Sequence, residues 1–115
     1  LLDSDSELAA RYRLFAGHCL QQAQAIYQGF VEAGILVMQP EEIEALTLNS
    51  WIILTSWVRF LCSMRPDDAP LSEELLRRGI YQVLALESGY VSPAARDEVR
   101  SLQARLHVPL SAVLP

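Results

Sequence analysis

Between Glu44 and Arg59 lies a run of 14 residues without a charge, ALTLNSWIILTSWV, with tryptophans at positions 51 and 57. A bilayer-spanning helix needs about 18 to 20 apolar residues, and this run is shorter and closed by a charge at each end. No membrane span is therefore expected. Apolar side chains would cover nearly the whole circumference of a helix built from this stretch, with Asn49, Ser56, Arg59 and Ser63 confined to one narrow stripe. A helix apolar on most sides sits at the centre of its domain. Two readings stay open at this point: an ordinary buried helix, or one wall of a cavity for a greasy ligand.

Proline and glycine divide the rest of the chain at Pro40, at RPDDAP (Arg65 to Pro70), at GYVSP (Gly89 to Pro93) and at Pro109. The four segments between them all carry a helical period, and no alternating strand pattern or hairpin signal occurs. The expected fold is all-α, a bundle of about four helices over residues 6–36, 41–64, 71–90 and 93–107. In the first, Leu8, Tyr12, Phe15, Cys19, Ile26, Phe30 and Ala33 form an apolar stripe opposite Gln21, Gln24, Gln28 and Glu32. Ser6 is its expected N-cap, and Gly34 its expected stop. Pro40 and three following glutamates mark the start of the second helix. The third carries Gly79 in its interior, where glycine costs about 1 kcal/mol unless another helix approaches closely. The fourth opens on Ser92 as N-cap and Pro93 in the first turn. The last two helices form a hairpin whose apolar stripes are wide for packing on the first two alone.

At 115 residues, 51% hydrophobic and 20% charged, the chain is the size of one packed domain with a single core. Its net charge is −5, and Arg77-Arg78 is the only adjacent basic pair, so the chain by itself lacks the clustered positive patch that phosphate binding requires. Its acidic N-terminus is unlike a signal peptide. Two cysteines, Cys19 and Cys62, read as free buried thiols in a reducing cytoplasm, and with His18 and His107 they show no metal-ligand spacing.

No catalytic constellation is present: there is no phosphate-binding glycine loop, no nucleophile elbow and no zinc-protease motif. The acidic pairs Glu41-Glu42, Asp67-Asp68 and Glu73-Glu74 belong to helix starts and a loop, where they offset the dipole or meet water. No cofactor, catalytic residue or enzyme activity is expected. Trp51 and Thr55, one turn apart, fit either core packing, with the Thr hydroxyl bonding back along its helix, or an aromatic cavity wall. His18 and Tyr27 read as satisfied residues at the edge of the core.

Three stretches in order, ELAARYRLFAGHCLQQAQAIYQGFVEAGIL, LTLNSWIILTSWVRFL and RRGIYQVLALESGYVSPAAR, resemble the C-terminal regulatory domain of TetR-family transcriptional repressors. The resemblance covers residues 5 to 106. It implies a cytoplasmic, homodimeric repressor whose middle helices enclose a small apolar effector and whose last two helices pair with their copies. It makes the helix with Asn49, Trp51, Thr55 and Trp57 the central pocket-lining helix, and the expected effector contacts are Phe15, Cys19, Tyr27, Trp51 and Thr55. It assigns Gly79, Val83, Leu86, Tyr90, Val99, Leu102 and Leu106 to the dimer interface. Operator DNA would be bound only through a helix-turn-helix domain that the chain does not contain, so the chain reads as starting mid-protein. The alternative is a small helical protein-protein interaction module without an effector.

Overall fold

The computed structural model describes residues 2–66 and 69–114, with side chains from Asp5 onward. The chain is all-α: α1 Leu2–Glu32, α2 Pro40–Met64, α3 Glu73–Glu87, α4 Arg96–Leu106 and a short α5 Leu110–Val113. Single 3₁₀ turns, Ser88–Tyr90 and Pro93–Ala95, join α3 to α4.

Each helix boundary has a local cause. α1 starts at Leu2, so Ser6 lies inside the helix rather than capping it. Asp5 and Glu7 favour the positive end of the helix dipole, and Glu7 pairs with Arg11 one turn on at 2.9 Å. The helix ends four residues earlier than the expected position 36, at Glu32, because Gly34 adopts φ 78°. Its N–H reaches the Val31 carbonyl at 3.1 Å, and the Ile35 N–H reaches Phe30 at 2.9 Å, a Schellman closure. α2 opens on Pro40, with the Gln39 N–H donating to the Glu42 carboxylate at 2.9 Å. Ser72 Oγ caps α3 by accepting from the Leu75 N–H at 3.2 Å. Ser92, the expected cap of the fourth helix, has a buried hydroxyl without a partner. Its backbone N–H instead donates to Ile35.

α2 lies between α1 and α3, and α4 packs on α3. The molecule measures 53 × 35 × 17 Å, so its thin dimension is less than two helix diameters. Its radius of gyration is 16.8 Å, against about 13 Å for a compact domain of roughly this length. The bundle is a slab, and helices side by side in a slab bury only their edges. The single core expected from the chain length is accordingly replaced by two clusters at opposite ends of α2. One joins Tyr27, Leu36, Met38, Ile43 and Leu46; the other joins Leu61, Leu75 and Val113. Val113 belongs to α5, which the sequence reading had ended before at Pro109.

The α1–α2 loop and the α3–α4 corner are clipped together by an antiparallel bridge between Leu36 and Val91. The Val37 N–H donates to Tyr90 and the Ser92 N–H to Ile35, each at 2.8 Å. At the other end of α3, the Arg78 guanidinium donates to the Val108 carbonyl and lies over the Tyr81 ring. By length and composition α2 is long and apolar enough to cross a membrane. Its 25 residues include the charged ends Glu41, Glu42, Glu44 and Arg59, which the shorter uncharged run excluded. The neighbouring helices on both sides fit its place at the centre of a helical domain.

Candidate ligand-binding and dimerisation surfaces

The two tryptophans of α2 divide in role. The Trp57 indole N–H donates to the Leu75 carbonyl of α3 at 2.9 Å, and its ring stacks on Phe60 with centroids 5.6 Å apart. Its other neighbour is Gly79, where a side chain would bring Cβ within 2.7 Å of the indole Cδ1. Gly79 therefore makes room on α3 for the Trp57 indole of α2. Gly79, expected at a dimer interface, is buried within its own subunit against Trp57. Val83 is likewise buried, since Leu75, Gly79, Val83 and Glu87 recur every four residues along the inward edge of α3.

The outer face of the hairpin carries other apolar residues. Leu76 and Ile80 are 40% and 48% exposed, and Leu86 and Leu102 are also exposed. Tyr90 packs against the Tyr27 cluster. Val99 and Leu102 line a groove of about 490 Å³ with Ile35, Ala95, Glu98, Ser101 and Arg105. Leu106 is half-buried at the end of α4. Gln103 fixes α4 on α3 through its amide, which donates to the Leu84 carbonyl at 3.1 Å and to Ser88 Oγ at 2.8 Å.

The five expected pocket residues do not share one environment. Phe15 is 61% exposed on the projecting half of α1, among exposed Leu8, Tyr12 and Leu14. Cys19 and Trp51 are half-buried. Thr55 is exposed, and its hydroxyl bonds back to the Trp51 carbonyl at 2.6 Å. Tyr27 stands apart: it is buried, and its hydroxyl is hydrogen-bonded to Ser50 Oγ at 2.6 Å. His18, read as a core-edge residue, is exposed, as is Cys62. One groove between α1 and α2 is lined by Leu20, Gln21, Gln24, Glu44, Thr47 and Leu48. A second, more apolar groove of about 250 Å³ runs along α2 beside α3, between Ile52, Ile53, Ser56, Trp57, Phe60 and Gln82.

The sequence reading missed Glu87. Its carboxyl is buried against the Tyr27 hydroxyl, and burial lifts its pKa above the usual carboxylate value, against the opposing effect of that hydroxyl. Tyr27 is pushed up to about 12, first by burial and further by the neighbouring Glu87, with the Ser50 hydrogen bond acting the other way. A signal was present, because Glu87 continues the four-residue repeat of Leu75, Gly79 and Val83. A glutamate at the end of an apolar helix is ordinarily solvated, and the pattern carries no sign of the tyrosine waiting on α1.

No curated protein matches the chain. Among solved structures, a TetR-family transcriptional regulator from Marinobacter aquaeolei VT8 superposes with a TM-score of 0.78 at 36% identity, over 93% of this chain. The chain spans half the length of that protein, 50%. A family model described as TetR, bacterial transcriptional repressor, matches residues 1–99. With a family match over most of its length and a shared helical fold, the chain belongs to the TetR family of bacterial transcriptional regulators, which are not enzymes.

Proposed function

We propose that these residues form the effector-binding and dimerisation domain of a cytoplasmic TetR-like repressor. Operator DNA would be held by a helix-turn-helix domain outside the 115 residues, consistent with the half-length match to the Marinobacter protein. The observation that carries the reading is apolar surface one subunit leaves uncovered: Leu76, Ile80, Leu86 and Leu102 on the hairpin, and Phe15, Ile52 and Leu54 on the slab. Exposed apolar patches of this kind mark interfaces and ligand grooves. On the hairpin, the self-complementary contact of two α3–α4 pairs covers Leu76, Ile80, Leu86 and Leu102, with Val99 and Leu106 at the margin. For the effector, Phe15, Cys19, Tyr27, Trp51 and Thr55 are the proposed contacts of a small apolar molecule, supported by the exposed apolar surface of α1 and α2.

The mechanism is a population shift. An effector that binds one arrangement of the two subunits more tightly than the other changes the spacing of the DNA-binding heads, and operator affinity falls. Native mass spectrometry of the protein at tens of micromolar tests the dimer, and a monomer there overturns it. Tryptophan fluorescence titrated with a panel of apolar small molecules tests the effector. A dimer whose emission is unmoved by every compound favours a TetR-like dimer without an effector, and an upstream sequence without a helix-turn-helix favours the interaction module.

A further inference from the structure

Beyond α4, residues 107–114 cross the start of α3 and reach the end of α2. Val113, in the single turn of α5, is 2% exposed and packs with Leu75 and with Leu61, which is 0% exposed. Val108, Leu71 and Trp57 complete the cluster. One helical turn does not hold its own shape in water, where isolated helices shorter than about 12 residues are marginal. The segment is therefore shaped by what it touches, and its attachments are few. They are the buried Val113, the half-buried Val108, the hydrogen bond from the Arg78 guanidinium to the Val108 carbonyl, and the edge of His107 on Tyr81 with ring centroids 5.2 Å apart. Its leucines, Leu110 and Leu114, are exposed. Segments with few buried contacts open locally while the rest of the fold stays intact.

The slot that Val113 fills adjoins the apolar groove along α2. Trp57 belongs to both, walling the groove with Ile52, Ile53, Phe60 and Gln82 and packing on the Leu61 cluster. Gln82 ties the groove to the segment: its side-chain oxygen accepts from Arg78 Nε at 2.9 Å, and the same guanidinium holds Val108. Movement of the Gln82 side chain thus reaches the Val108 carbonyl through one arginine. The slot offers an occupant no polar partner. Leu61, Leu71 and Leu75 wall it, and the Trp57 N–H and the Leu75 carbonyl satisfy each other at 2.9 Å. A charged group there has nothing to offset its desolvation, which restricts the occupant to an uncharged apolar one.

We propose that residues 107–114 are a displaceable strap with Val113 as its plug, and that a small uncharged apolar molecule lodges by taking the place of Val113 and extending along the Trp57 groove. None of the residues proposed above as effector contacts lines this groove. The strap belongs to one subunit and depends on neither those contacts nor the dimer. A molecule that binds only the displaced state has its apparent affinity lowered by the fraction of chains in that state, so releasing the plug strengthens binding.

Titration with phenylnaphthylamine, an uncharged apolar dye, tests the strap on wild type, Val113→Asp and Arg78→Met, with circular dichroism reading helical content. Val113→Asp withdraws the plug, because a carboxylate is expelled from an apolar slot. Arg78→Met frees Val108 without altering the cluster. Both variants are expected to bind the dye about tenfold more tightly than wild type at unchanged helical content. Affinity equal to wild type in both overturns the strap. A gain that comes only with lost helix also overturns it, because the dye is then binding an unfolded chain. NMR of the valine methyl groups in wild type supplies a reading that needs no substitution. Saturating dye is expected to move the Val113 methyl resonances to the positions of a solvent-exposed valine and to leave those of Val83, buried on α3, in place. Val113 resonances unmoved by saturating dye overturn the proposal.

Discussion

Trp57 and Gly79 meet between α2 and α3, with the indole Cδ1 2.7 Å from the position a Cβ at Gly79 would occupy. The hydrogen bond from the indole to Leu75 holds the ring there, so it cannot swing aside. Gly79→Ala removes a helix-interior glycine, a gain of about 1 kcal/mol, but overpacking costs about 1–3 kcal/mol. A net loss of about 1 kcal/mol is expected in urea unfolding. Trp57→Phe in the same chain should recover part of it, a coupling that a double-mutant cycle reads directly.

The Tyr27–Ser50 pair predicts an alkaline transition. Tyr27 titrates at about 12 in the folded chain against an ordinary 10.0, so the folded state holds this proton more tightly. Its stabilising contribution is complete below the ordinary value and disappears as pH rises through about 12, in total about 2–3 kcal/mol. Tyr27→Phe should lack this transition and, at neutral pH, lose about 1–2 kcal/mol because the buried Ser50 hydroxyl loses its partner. Unfolding free energies at neutral and alkaline pH check both.

Leu76 and Ile80 sit on the outer face of α3, away from the Gly79 edge. Leu76→Glu and Ile80→Glu should leave helical content unchanged and raise the dimer dissociation constant about thirtyfold, the effect of removing a contact of about 2 kcal/mol. Sedimentation equilibrium with circular dichroism distinguishes this from misfolding. Gly79→Ala should show the reverse pattern, with lower stability and an unchanged association constant.

Gly34 ends α1 at φ 78° with open space where a Cβ would sit. Gly34→Ala is therefore a purely backbone change, expected to destabilise by about 1 kcal/mol, and Gly34→Asn by less. A shift in urea midpoint without a change in slope is the confirming result.

Local chemistry made the helices legible. Gly34 and Pro40 act on backbone groups within a few residues, so the limits they set could be read from the chain, and α2 begins at Pro40 for this reason. The central position of α2 followed equally from its nearly uniform apolar surface. Family membership, too, was carried by the order of three quoted stretches. The candidate surfaces were less legible, because an apolar period identifies a stripe without saying which neighbour covers it. Gly79 and Val83 lie on the same helix as Leu76 and Ile80, yet only packing buried the first pair, Gly79 against Trp57, and left the second pair in the open. Glu87 was beyond sequence reading for a related reason. The physical state of a carboxyl depends on the water and charge around it, and at Glu87 it is set first by burial, opposed by a tyrosine 60 positions earlier in the chain.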